Sequence, residues 1–270
     1  MHIITRLIML ENKIVKNTLA LLIISSISPS YASDNDKSGT AFTVSLGAAS
    51  SPKYSGSNEQ AWGAAPQFHF QQDNFFVDSM NGAGFRFQSE NGLYFISTIG
   101  YDSGRTDEDS GWRKGSDALK GMGDISATVN TGLALGWAVT PWLVLEGKAT
   151  LPLSDGQGIS YATSVDFIPV LDEEDTVALK ISALFADSRY MNTWYGVNST
   201  QSANSGYSPY NSSGGYYGTD VSLTWAHQFN ENWGGWVGIN HTWLGDNAAD
   251  SPIVKQKEGT TGVVAISYTF

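Results

Sequence analysis

The chain closes on GVVAISYTF, residues 262 to 270, and this stretch alternates without a break. Val264, Ile266, Tyr268 and Phe270 fall on one face; Thr261, Ala265, Ser267 and Thr269 fall on the other. A period of two puts the two sets on opposite sides of a sheet. Soluble domains usually fray at their ends. An alternating strand that finishes on an aromatic therefore asks for an apolar surrounding outside the molecule.

The same test succeeds upstream. Val221, Leu223, Trp225 and Phe229, with Tyr217 placed on the same face, alternate with Gly218, Asp220, Ser222, Thr224 and Gln228. Leu133, Leu135 and Trp137 continue a face begun by Ile125, Ala127 and Val129. Leu143, Leu145, Ala149 and Leu151 oppose Glu146, Lys148 and Thr150, and Tyr161, Val165, Phe167 and Leu171 oppose Ser164 and Asp166. A soluble sandwich would alternate too, so further features have to decide.

Three do. Aromatics gather at strand ends: Trp233 and Trp243 share a face ten residues apart, which at ~3.4 Å per residue and a tilt near 40° spans roughly 25 Å, the height of the apolar band of an outer-membrane barrel. Connections alternate between tight turns (73–74, 89–92, 140–141, 172–175, 230–232) and long polar loops (50–60, 104–121, 188–214, 247–259), as in such barrels. The small faces carry Gly, Ser, Thr, Asn and single charges, which suits a wet lumen better than a packed core. Charged residues are 15 % of the chain, against about 25 % in soluble domains. The spacing predicts an all-β, antiparallel up-and-down transmembrane barrel with strands near 40–49, 61–71, 75–79, 82–88, 93–103, 122–139, 142–153, 159–171, 176–187, 215–229, 233–246 and 260–270. Twelve strands keep every tight turn on the periplasmic side, provided 75–88 is split at Met80-Asn81-Gly82. Ten strands stay open if another pair is misread.

The first residues read separately. Lys13 and Lys16 precede the apolar run LALLIISSIS, and Ser30-Tyr31-Ala32 supplies a small-x-small site, so residues 1–32 are expected to be a cleaved secretory signal and 33–270 a single barrel domain. The run is shorter than the roughly 20 residues a spanning helix needs. Cleavage removes Arg6, Lys13, Lys16 and Glu11. It takes the 15 basic residues to 12 and the 26 acidic ones to 25, a net charge of −13. Such acidity argues against a nucleic-acid partner.

Chemistry-bearing groups are few. Arg86, Glu146, Lys148, Asp166, Lys180 and Asp220 fall on polar faces and form a candidate lumen cluster, since ionisable groups at membrane depth face a cavity and pair with one another. Their role is a salt-bridged plug or a charge-sorting pore lining; the plug is favoured because a small barrel leaves little lumen once side chains fill it. Trp225, Trp233, Trp243 and Tyr217 are the candidate aromatic girdle. His227 and His241 belong to interfacial packing rather than catalysis, and no metal-ligand spacing or cofactor motif occurs. No enzyme activity and no cofactor are expected.

Several ordered stretches resemble the MipA/OmpV family of outer-membrane proteins. They are SPKYSGS, with Pro52, Tyr54 and Gly56; YDSGR followed by LKGMGD, with Gly104, Arg105, Gly121, Gly123 and Asp124; DSRYMNTWYGV, with Tyr190 and Gly196; and LGDNAADSPI, with Asp246, Asp250, Ser251 and Pro252. The terminal Val264-x-Ile266-x-Tyr268-x-Phe270 resembles the signal by which the barrel-assembly machinery recognises its clients. The resemblance implies a barrel in the outer membrane of a Gram-negative bacterium, in contact with outer-membrane lipid. It further implies a scaffold that brings a lytic transglycosylase together with a murein synthase. A narrow porin-like channel, or an adhesin using loop 190–215, are the alternatives. The acidic turn Asp172–Asp175 is the expected periplasmic contact, and loop 190–215 is expected to fold partly over the barrel mouth.

Overall fold

A computed structural model of the chain describes residues 40–111, 113–153 and 156–270. The expected signal at 1–32, and the start of the barrel domain at 33, lie outside the described residues.

Twelve antiparallel strands form a closed barrel: β1 (Thr40–Pro52), β2 (Gln60–Gln72), β3 (Phe75–Asp78), β4 (Gly82–Gln88), β5 (Leu93–Asp102), β8 (Thr128–Thr140), β9 (Leu143–Pro152), β10 (Ser160–Leu171), β11 (Asp175–Ala186), β12 (Gly215–Gln228), β13 (Trp233–Leu244) and β14 (Glu258–Thr269). β6 (Arg105–Thr106) and β7 (Lys114–Gly115) form a separate parallel pair in the loop after β5. Sequential strands pair around the wall, and β14 closes on β1 from Thr43↔Thr269 to Ser50↔Gly262. Closure gives most backbone groups of the wall their partners within the sheet. In hydrocarbon each unpaired one costs several kcal/mol.

The split in 75–88 is real, and a small device enforces it. The Asp78 carboxylate accepts the backbone N–H groups of Met80 (2.8 Å) and Asn81 (2.6 Å). Gly82 follows at φ +83, where a Cβ would run into the Ile99 carbonyl of β5. A turn that needs a left-handed residue against a neighbouring strand selects glycine.

Lipid-facing residues follow the alternation. Leu46, Ile99, Leu135, Leu223, Ile239 and Ile266 are exposed apolar side chains on the outer face. Trp142, Trp225, Phe229 and Trp233 ring the end with the tight turns; Trp62, Tyr161, Tyr216 and Trp243 ring the end with the long loops. Val264, Ile266, Tyr268 and Phe270 share the outer face, where Phe270 stacks on Phe42 and Tyr268 meets Trp233 edge-on.

Two expectations need correction. Tyr217 is not part of the girdle. The register between β11 and β12 shifts between Leu184↔Gly218 and Phe185↔Tyr216, so Tyr216 takes the outer position and Tyr217 turns inward and is buried. A β-bulge inverts facing in this way without any mark in the alternation. The segment 122–127 is not strand: β8 begins at Thr128, and Ile125 instead pairs with Arg105 and is buried in the loop region.

Candidate functional site

The barrel is filled at one end and capped at the other. In the periplasmic half, Phe76, Tyr94, Ile96, Ala134, Val144, Ile168 and Ala178 turn inward and form one apolar cluster. Trp236, Ala226 and Ala265 form a second. This corrects the expectation of an evenly wet lumen. Phe75 and Phe76 put an aromatic on each face of β3, so alternation could not reveal that the lumen side is apolar.

The predicted charges sit on and above this floor. Lys180 Nζ lies 3.4 Å from Asp166 and 3.8 Å from Glu146, and the Tyr94 hydroxyl donates to Glu146 at 2.8 Å. Arg86 stacks over the Phe76 ring at 5.7 Å. Lys148 reaches Asn81 at 3.5 Å across a cavity of about 30 Å³, which is room for a water or two. Five of the six predicted lumen residues thus surround one layer. Asp220 stands apart, in register with Ser182 and Thr242, and no ion pair among the described residues reaches it.

At the other end the long loops assemble a lid. Helix Ser188–Trp194 starts at Asp187, whose carboxylate accepts Tyr190 N–H at 2.7 Å. Helix Ser199–Ser205 opens with a reciprocal capping box between Asn198 and Gln201. Neither was visible as periodicity, because each is only two turns long. A third short helix, Asp246–Ala249, follows β13. Tyr54, Leu119, Met122, Val197 and Ile253, drawn from four loops, pack into one buried cluster. Met191, Tyr195, Tyr217 and Ala248 form another, against the top of the wall. Hydrogen bonds tie the loops together: Tyr54 hydroxyl to Ile253 O at 2.9 Å, Tyr207 hydroxyl to Ala118 O at 2.6 Å, and Gln201 Nε2 to Met122 O at 2.9 Å.

The positions that carry the family resemblance converge here. Arg105 is buried, donates to Trp194 O at 2.8 Å and lies over the Trp194 ring; burial lowers its pKa to about 10. Burial likewise pushes the Tyr54 hydroxyl up to about 12. Gly121 and Gly123 adopt positive φ and aim both N–H groups at the Asp107 carboxylate, at 3.0 and 2.9 Å. Asp124 is held below the usual carboxylate range by hydrogen bonds from Thr106, from the Asp107 backbone and from Arg113. Gly56 O accepts Lys255 N–H, Ser251 donates to Tyr195 O, Pro52 ends β1 and Pro252 O accepts from Lys255. Gly104 precedes Arg105 and donates its N–H to the Asp102 carboxylate at 2.7 Å; Gly196 N–H donates to Asn192 O; Tyr190 packs on Tyr217. Asp246 opens the third helix, and Asp250 pairs with Lys257 at 3.1 Å. Sequence reasoning missed the lid's core, Leu119, Met122, Val197 and Ile253. Isolated large apolar residues in otherwise polar loops were the available signal, since such residues are normally buried.

The histidines lie at the margins. His227 Nδ1 is 2.9 Å from Asp175 and sits between Trp225 and Phe229, and His241 meets Thr260 at 2.7 Å. His69 is buried against Phe76, 4.0 Å from Asp78. No group of metal-ligating side chains occurs among the described residues.

A closed strand cylinder with an apolar outer belt, aromatic rims and a polar cap defines an outer-membrane β-barrel protein. Its sequence places it further. The chain belongs to the MltA-interacting protein MipA family, whose pattern matches residues 44–270. No curated protein matches it. Among solved structures it is similar to the NanC porin (TM-score 0.46, 8 % identity, covering 84 % of this chain and 98 % of that one). It is also similar to an outer membrane channel from Pseudomonas putida F1 (0.41, 12 %, 89 % and 100 %) and to the KdgM porin (0.38, 9 %, 86 % and 98 %). Likenesses this distant carry no argument about function.

Proposed function

We propose that this protein is a non-enzymatic outer-membrane anchor that gathers murein-synthesising and murein-hydrolysing enzymes at its periplasmic face. The observation that carries the reading is the filling of the barrel: an apolar floor, a salt-bridged layer and a packed lid stand in series along the axis. A cylinder spent on packing serves as a mount. The periplasmic turns give the mount its contact. Asp73, Glu90, Asp172, Glu173, Glu174 and Glu231 lie in them, and those turns contain no Lys or Arg. An acidic rim fits a partner with a basic surface. The family's description as an MltA-interacting protein supports a lytic transglycosylase as one such partner. Insertion through the terminal Val264, Ile266, Tyr268 and Phe270 by the barrel-assembly machinery belongs to the same reading.

The test is co-purification from detergent-solubilised envelopes with a lytic transglycosylase. Changing Asp172, Glu173 and Glu174 together to Lys is expected to abolish capture while the barrel stays folded. Capture that persists in this variant, or fails in the unaltered protein, counts against the scaffold. A second reading, a narrow gated channel, draws on the mixed charges Glu146, Lys148, Asp166 and Lys180 in the lumen. It requires the lid to open. Loop 190–215 is folded into the lid by its two helices, which gives the adhesin reading no projecting arm.

A further inference from the structure

The wall is not equally tall all round. β2 pairs with β1 along its whole length, from Gln72 to Gln60, but with β3 only from Gln72 to His69. β3 and β4 are short, and β4 leaves β5 after Ala83↔Ile99. From Gln60 to Gln67, roughly 25 Å of strand at ~3.3 Å per residue, β2 has no strand on its second side. Among the described residues no backbone hydrogen bond reaches that side above the Ser79–Phe68 contact. Pro66 lies in this stretch, and an edge strand is one of the few places in a sheet that tolerate proline, because the missing N–H breaks no ladder there. Between β2 and β5 the missing upper parts of β3 and β4 leave three strand spacings, about 14 Å, open.

The gap opens on a cavity. A space of about 430 Å³ is lined by lumen-facing Ala49, Ser51, Ala61 and Gly63 and also by outward-facing Trp62 and Ala64. The space lies along the edge that β2 leaves unpaired, and residues of both faces of that strand line it. Residues Asp109 to Gly111 and the β7 segment cover its outer end. That cover is fastened to the top of β1 by the Lys53–Asp109 ion pair (2.7 Å) and by Gly115 N–H to Lys53 O (2.9 Å). Trp62 is 79 % exposed and stands at the rim, level with the outer aromatic girdle.

We propose that this gap is a lateral entrance, through which the cavity takes up a small amphipathic molecule dissolved in the outer leaflet. The location selects the occupant. An opening in the apolar belt is met from the membrane, so a molecule reaching it has partitioned into lipid. An open strand edge does not persist against acyl chains alone. The N–H and C=O groups that Gln60–Gln67 turn away from β1 call for a ligand with hydrogen-bonding groups, while Ala49, Ala61, Gly63 and Ala64 receive its apolar body. The volume is that of a small-molecule site. The proposal is independent of the scaffold reading, whose contacts lie at the opposite end.

The probe is N-phenyl-1-naphthylamine, a small apolar amine that fluoresces when bound, titrated into proteoliposomes of the protein and of protein-free lipid. Saturable binding above the lipid background is expected. Gly63→Trp fills the cavity from a position where an added Cβ meets nothing within 4 Å, and it is expected to weaken binding at least tenfold. Gly147→Trp, equally open but on the far wall, is expected to leave binding unchanged. Should Gly63→Trp fail to fold, Gly63→Cys can be folded first and then blocked with a bulky maleimide, since the chain has no other cysteine. Absence of saturable binding, or equal binding in the blocked and free proteins, overturns the proposal. So does ready formation of Gly63→Cys disulfide dimers in native membranes, which would show the edge covered by a second copy.

Discussion

The periplasmic and outer halves of this barrel solve one problem in opposite ways. The lower half has tight turns, a continuous wall and a lumen filled by side chains of the strands themselves. The upper half has a notched wall and draws its filling from loops, which bring Leu119, Met122, Val197 and Ile253 together over the mouth. A core built from strands is held by the same hydrogen bonds that hold the barrel. A core built from loops is a separate unit that can loosen while the barrel stands. Stability is expected to divide along that line, with the lid as the local unit of lower stability.

Leu119→Asp should separate the two halves most strongly. It places an uncompensated charge at a fully buried site, a cost of roughly 3–5 kcal/mol. The outer loops are expected to become protease-sensitive while the folded barrel still migrates apart from the boiled form on gels. Loss of the folded band would show that lid and barrel are one unit. Next comes Lys180→Met in the lower half. It strips the partner from Glu146 and Asp166, and because Lys180 is partly wet the expected cost is about 1–3 kcal/mol. The urea midpoint of the barrel should fall while lid proteolysis stays unchanged.

A finer cut uses pH. The Tyr54 hydroxyl is raised to about 12 in the folded lid, against 10 in an exposed chain. A raised pKa favours the protonated, folded form, so its contribution is complete below pH 10 and lost as pH climbs through 12. Protease access to the lid should therefore rise in that window. Tyr54→Phe should flatten the rise and cost about 1 kcal/mol at neutral pH for the lost bond to Ile253. The smallest effect is expected of Asp109→Asn. Its bond to Lys53 is exposed, and exposed pairs contribute little, so lid proteolysis should not change measurably.

The strand half of this architecture was legible. Alternation at Val264–Phe270, Trp233 and Trp243 at the two rims, and the polar dipeptides at the turns each report a local rule of strands and turns. The lid was legible only as ordered family motifs at Tyr54, Arg105, Gly121 and Pro252. Its packing joins residues far apart in sequence, and nothing local marks Leu119 as the neighbour of Ile253. Tyr217 shows the limit most clearly: one bulge, set by pairing with β11, moved it from the lipid face to the lid. The short β3 is similar, since Phe75 and Phe76 read alike and only the register tells which one plugs the lumen.

On this reading both halves of the barrel are closed along the axis. Single-channel recording of the purified, refolded protein in a planar bilayer tests it directly. A folded, heat-modifiable barrel that stays electrically silent at moderate voltage is the expected result; steady unitary currents from the unaltered protein would contradict it.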